Sequence, residues 1–111
     1  MKNSSKRIKQ ELGTAVRQEA ERGSIVQILV EWRMEWMPVG ELRLHVLRRA
    51  GYQLTDDDLQ FHLNYLERKG FVEKKQLRAA RAGLEMTAVR ATARSVDLAE
   101  GRIAGEAGVG L

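Results

Sequence analysis

Residues 54–73, LTDDDLQFHLNYLERKGFVE, constrain the fold more than any other stretch. Thr55 stands where a helix N-cap belongs. Asp58, three residues on, completes a capping box with Asp in place of the usual Glu or Gln. Leu59, His62, Leu63 and Leu66 then recur at intervals of three and four, which leaves one stripe to bury. Gly70 ends the helix, and Phe71 with Val72 opens an apolar strand that turns polar as it leaves the core. A helix sealed at both ends with a single apolar stripe must be covered by its neighbours, so the flanking segments decide the architecture.

Upstream, Ile8, Leu12, Ala15 or Val16, and Ala20 give residues 1–23 a thin helical stripe that ends at Gly23. This charged arm reads either as a peripheral, solvated helix or as a dimerisation helix whose bases also touch phosphate. Ser24 is placed to cap a second helix, SIVQILVEWRMEW, with Ile25, Ile28, Leu29, Trp32 and Trp36 on its apolar face. The tryptophans read as core or edge-of-core packing. Pro38 stops that helix and opens the next. PVGELRLHVLRRAG turns Leu42, Val46 and Leu47 inward and Arg43, Arg48 and Arg49 outward, with Gly51 as its left-handed C-cap.

Downstream, FVEKKQL reads as a strand, RAARAG as a turn around Gly83, and LEMTAVRA as a second strand whose inward face is open. A helix from Leu77 onward also fits the propensities there. Thr92 caps a short last helix, ARSVDLAEG, with Val96 and Leu98 or Ala99 inward. The glycine- and alanine-rich residues 102–111 are expected to form a flexible tail. The expected layout is an arm over 1–23, a domain over 24–101 and that tail.

With 111 residues the chain has room for one domain, and without cysteine it forms no disulfide, thiolate zinc site or cysteine nucleophile. The first residues lack the apolar core of a secretory signal and no run approaches a bilayer span, so a cytoplasmic protein is expected. The formal charge is +4, divided as +3 over residues 1–23, −1 over 24–70 and +2 over 71–111. Between Lys74 and Arg94, six bases face one acid, Glu85. That excess favours an acidic partner.

Enzyme chemistry finds little support. No HExxH, Walker A, Gly-x-Ser-x-Gly or EF-hand pattern is present. His45 and His62 read as packed side chains with one hydrogen-bond partner each, and Asp56, Asp57 and Asp58 read as helix-capping charges rather than metal ligands. Neither metal nor cofactor is expected.

Three helices followed by a two-stranded hairpin resemble the winged helix-turn-helix family, which makes the expected fold mainly α (α+β). The likeness lies in the capping Thr, the Leu59, Leu63 and Leu66 stripe, the Tyr-Leu-Glu run and the Lys-Gly turn into an aromatic and Val. TARSVDLAEG is similar to the Thr-x-Lys-Gly-x-x-Leu segment that closes the wing in small repressors of this type, with Ser95 where glycine is frequent. TAVRATARSVDLAEG also looks like small winged-helix proteins of transposable phages and prophages.

The resemblance covers residues 24–101 and implies a double-stranded DNA-binding transcriptional regulator, active as a homodimer, with the third helix in the major groove. It further implies that Arg43, Arg48, Arg49, Lys74, Lys75, Arg78 and Arg81 hold phosphates while Gln60, Asn64 and Arg68 face base edges, beside Asp57. An ordinary solvated helix face has the same residue types. The three aspartates oppose a polyanion, so the alternative is a winged helix for protein contacts, using its acidic helix or a tryptophan-bearing surface.

Overall fold

The structure is a computed structural model that describes residues 2–79 and 84–111, with side chains described over 13–78 and 86–111. The described residues form a mixed α+β fold of four helices and a three-stranded antiparallel sheet: α1 (Lys2–Glu31), β1 (Met37–Pro38), α2 (Val39–Ala50), α3 (Asp56–Arg68), β2 (Val72–Ala79), β3 (Leu84–Ala91) and α4 (Ala93–Ala99). The sheet order is β1-β3-β2. The RAARAG turn with Gly83, and Arg81 within it, lie outside the described residues.

The local chemistry of α3 has the consequence expected of it. Thr55 Oγ1 accepts from the Asp58 amide at 3.1 Å, and Asp58 Oδ2 accepts from the Thr55 amide at 3.1 Å. Leu59, His62, Leu63 and Leu66 are buried against Ile25, Val26, Leu29, Phe71 and Val72. Gly51 closes α2 with φ +75° and donates to the Leu47 carbonyl, and Gly70 follows α3 with φ +80°. Both angles lie where a side chain is strained.

Residues 1–23 and 24–36 do not form two helices. α1 runs unbroken through Gly23 and Ser24, a rod of 30 residues and roughly 45 Å. Ser24 caps nothing: its hydroxyl donates back to the Ala20 carbonyl at 3.0 Å, a bond compatible with a helix interior. Gly23 serves close approach instead of termination, because a Cβ there would fall inside the Gly110 carbonyl. The tail thereby meets α1. The Gly110 amide donates to the Glu19 carbonyl at 2.8 Å, and Val109 is only 5% exposed in the core. Residues 102–111 thus carry a packed segment where looseness was expected.

Three further expectations change. α1 stops at Glu31, and Arg33 and Met34, both at φ +60°, reverse the chain so that Trp36 leaves the helix. Trp32 is 38% exposed and faces His45, with ring centroids 5.4 Å apart, outside the core. Leu47 is 43% exposed: α2 is buried along Leu42 and Val46 alone, and the next position is turned about 100° away. β1 was not expected; it pairs Met37 with Val89 and Pro38 with Ala88, an edge position that tolerates proline.

The face of β3 left open by its sequence turns Val89 and Ala91 into the core with their neighbour Val72; on the other face Met86 is exposed, while Ala88, paired with Pro38, is fully buried as well. Ser95 explains its departure from glycine. It is fully buried, and its hydroxyl donates to the Phe71 carbonyl. Thr92 caps its amide at 3.3 Å and donates to the Gly70 carbonyl at 2.7 Å, so α4 is tied to the turn after α3.

The two α1 glycines differ in what a side chain would meet, which separates helix propensity from packing. Gly13→Ala, in open space, should raise stability by about 1 kcal/mol. Gly23→Ala should lower it by roughly 1 to 3 kcal/mol through overpacking against Gly110, so thermal midpoints should move in opposite directions.

Candidate nucleic-acid interface

With its Leu stripe committed to the core, α3 presents Asp57, Gln60, Asn64 and Arg68 outward, at spacings of three, four and four, and all four are exposed. β2 leaves the end of α3 at Phe71, so its first outward base lands beside the same helix. Lys74 Nζ donates to Asn64 Oδ1 and lies 3.8 Å from Glu67 Oε1. Helix and hairpin therefore share one surface at that point.

The period-two alternation of a strand divides the other bases. Lys74, Gln76 and Arg78 fall on the α3 side of β2. Lys75 falls on the far side, its Nζ 5.6 Å from the Trp36 ring centroid, where the Arg90 guanidinium also lies at 4.5 Å. Arg90 is bound in turn by Glu73 at 2.8 Å. A purely sequential count of bases in the hairpin could not show this division, nor the aromatic plate that holds two of them.

The bases of α2 are placed unequally. Arg43 donates to Asp56 Oδ1 at 2.8 Å, Arg49 is paired with Glu31, and Arg48 is exposed. The Glu31 carboxyl is held below its ordinary range by a hydrogen bond from Gln27 and then by Arg49. Exposed pairs of this kind are worth about 0–1 kcal/mol, so they are readily exchanged for a stronger anion.

The acidic start of α3 resolves into three separate roles. Asp56 is bound by Arg43, Asp58 closes the capping box, and Asp57 stands exposed. The Asp58 carboxyl is held below the usual carboxylate range by the Thr55 amide first and the Thr55 hydroxyl second, with smaller help from His62 and Arg17.

Sequence reading also passed over a buried charged group. Glu21 and Arg22 of α1 meet His62 of α3 in the interior. Their neighbours in sequence are ordinary charged arm residues, Arg17 and Glu19 among them, so nothing in the local pattern marked the two for burial. His45 remains at the surface against Trp32, and among the described residues no cluster of His, Asp and Glu has metal-site geometry.

The fold is similar to the crystal structure of a protein from Thermoplasma acidophilum described as a "putative transcriptional regulator". The TM-score is 0.51 at 19% sequence identity, over 70% of this chain and 84% of that one. At such identity the likeness is one of fold. No family model matches the chain, and no curated protein matches it. No helix among the described residues is long and apolar enough to cross a membrane.

The capping box gives a pH test. Asp58 has a depressed folded-state pKa, so its contribution is present above its unfolded value and is lost as pH falls through the folded one. Asp58→Asn should flatten that acid limb in denaturant titrations at stepped pH. Thr55→Ala should cost about 1 kcal/mol at neutral pH.

Proposed function

We propose that this chain is a winged helix-turn-helix protein that binds double-stranded DNA as a transcriptional regulator. In this reading α3 enters the major groove and the β2–β3 hairpin is the wing on the phosphate backbone. The observation that carries the reading is the Lys74–Asn64 hydrogen bond, which joins the outward face of α3 to a basic hairpin. The regulator-like fold supports it as well.

Gln60 and Asn64, one helical turn apart, offer amides suited to the N6 and N7 edge of adenine, and Arg68 extends the face toward guanine-type acceptors or phosphate. In the free protein the Asn64 oxygen is occupied by Lys74. A phosphate competes for that ammonium and releases the amide for a base edge. Arg43 and Arg49 exchange their exposed carboxylates for phosphate in the same way, beside Arg48. Lys75 and Arg78 on β2 hold phosphates along the hairpin in this reading, and Arg81 is read as a further phosphate contact. A single α3 spans few base pairs, so the reading includes a homodimer on two half-sites. It also includes a cytoplasmic setting.

Exposed apolar groups favour a second reading. Leu44 and Leu47 on α2, which line one cleft, are 46% and 43% exposed, and Phe61 on α3 is 52% exposed, apolar groups suited to a protein partner. Electrophoretic retardation of the DNA upstream of its own coding sequence, at two salt concentrations, separates the two. DNA binding should weaken steeply with salt, and replacing Lys74, Lys75, Arg78 and Arg81 by Gln should reduce the log–log slope by about 0.9 per phosphate contact removed. Gln60→Ala or Asn64→Ala should instead relax sequence preference by about 1 to 3 kcal/mol. No retardation of any duplex at low salt would overturn the DNA reading and favour the protein-contact one.

A further inference from the structure

The interior group of Glu21, Arg22 and His62 does more than fill space, because its hydrogen bonds fix where protons reside. His62 is 1% exposed. Arg22 Nε donates to His62 Nδ1 at 3.2 Å, and Arg22 Nη1 donates to the Gly108 carbonyl at 3.1 Å. On the other side, His62 Nε2 lies 2.6 Å from Glu21 Oε2, while Arg17 Nε donates to Glu21 Oε1 at 3.0 Å. The Arg22 guanidinium also covers the Tyr65 ring, 4.1 Å from its centroid.

A guanidinium only donates and stays protonated in proteins. Nδ1 must therefore carry a lone pair, and the single proton of the neutral ring sits on Nε2, pointing at Glu21. Only one position is open to a second proton, and it is the acceptor that holds Arg22. The same arginine holds Gly108, whose segment is otherwise attached by Val109 in the core, by the Gly110–Glu19 hydrogen bond and by Lys69 to Glu106 at 3.3 Å.

We propose that the cluster is a proton-operated latch: protonation of His62 at Nδ1 expels Arg22 and loosens the C-terminal segment from α1 and α3. The charged and titratable groups around the ring are Glu21, Arg22 and Arg17 from α1, Asp58 and Tyr65 from α3, and Glu106 with its partner Lys69 at the tail contact. The contact with Arg22 is the one that the proton abolishes, whatever the balance of the others. A cleft of about 280 Å³ lined by Thr14, Arg17, Gln18, Asp58 and Phe61 reaches Glu21 and His62 from the outside. The latched state binds one proton fewer than the open one, so acid favours opening.

The test is nuclear magnetic resonance on the full chain between pH 8 and pH 5. At pH 8 the His62 ring should show a proton on Nε2 and a bare Nδ1. As the ring gains its second proton, the exchange protection of the Gly110 amide, corrected for intrinsic rates, should fall at least about tenfold, the scale of losing one charge-assisted hydrogen bond. The Val89 amide should keep its protection. Arg22→Lys should leave the tail poorly protected at every pH and uncoupled from His62. A ring protonated on Nδ1 at pH 8, or tail protection that holds constant while His62 titrates, overturns the proposal, as does an Arg22→Lys protein that keeps the coupling.

Discussion

The interior stripe of α3 contains one polar ring among leucines, and its satisfaction orders much of what surrounds it. A buried imidazole without partners costs about 1 to 3 kcal/mol. His62 finds both of its partners on α1, so α1 must cross α3 with Glu21 and Arg22 facing it. Once α1 is set there, Ile25, Val26 and Leu29 come over Leu59, Leu63 and Leu66, and Arg22 is left with donors directed at the Gly108 carbonyl. The hydrophobic contacts supply the larger stabilisation, but they tolerate sliding. The hydrogen bonds do not, and so they set the register between the two helices.

Fixing the inner face of α3 fixes the outer one by the helical period. Asp57, Gln60, Asn64 and Arg68 stand outward because Leu59, Leu63 and Leu66 cannot. The same reasoning places the hairpin. Gly70 at φ +80° turns the chain, the Phe71 carbonyl receives the Ser95 hydroxyl, and β2 departs with Lys74 already alongside Asn64. The candidate surface is thus a consequence of core packing together with one left-handed glycine.

The sequence made legible what is decided by local chemistry. Thr55, Asp58, Gly51 and Gly70 act through neighbours within four residues, as does Thr92 in capping Ser95, and these capping and turning roles could be read from spacing alone, whereas the bond from Thr92 to Gly70 could not. Gly23 could not, because glycine ends helices and also admits close approach, and only the distant Gly110 tells which applies. β1 has two residues, too few to show a period. At the candidate site, exposure of Gln60, Asn64 and Arg68 followed from the stripe. The state of the bases did not: Arg43 with Asp56, Arg49 with Glu31 and Lys74 with Asn64 are separated by 13, 18 and 10 residues. Such pairs depend on tertiary placement.

The acidic start of α3 and the basic hairpin are usually weighed as two opposed totals, and geometry shows why totals mislead. Two of the three aspartates are engaged within the protein, Asp56 by Arg43 and Asp58 by the capping box, while Asp57 stands exposed, and a phosphate that drew Arg43 away would leave Asp56 facing it as well. The bases are reduced as well. Strand alternation sends Lys75 to the far face, where it and Arg90 lie over Trp36, and leaves Lys74 and Arg78 toward α3. A duplex pressed against α3 alone would face four carboxylates, Asp56, Asp57, Asp58 and Glu67, against Arg68. A duplex that also follows the edge of the hairpin would meet bases from both faces at once, so the electrostatic advantage of this fold depends on the path of the backbone more than on the number of charges.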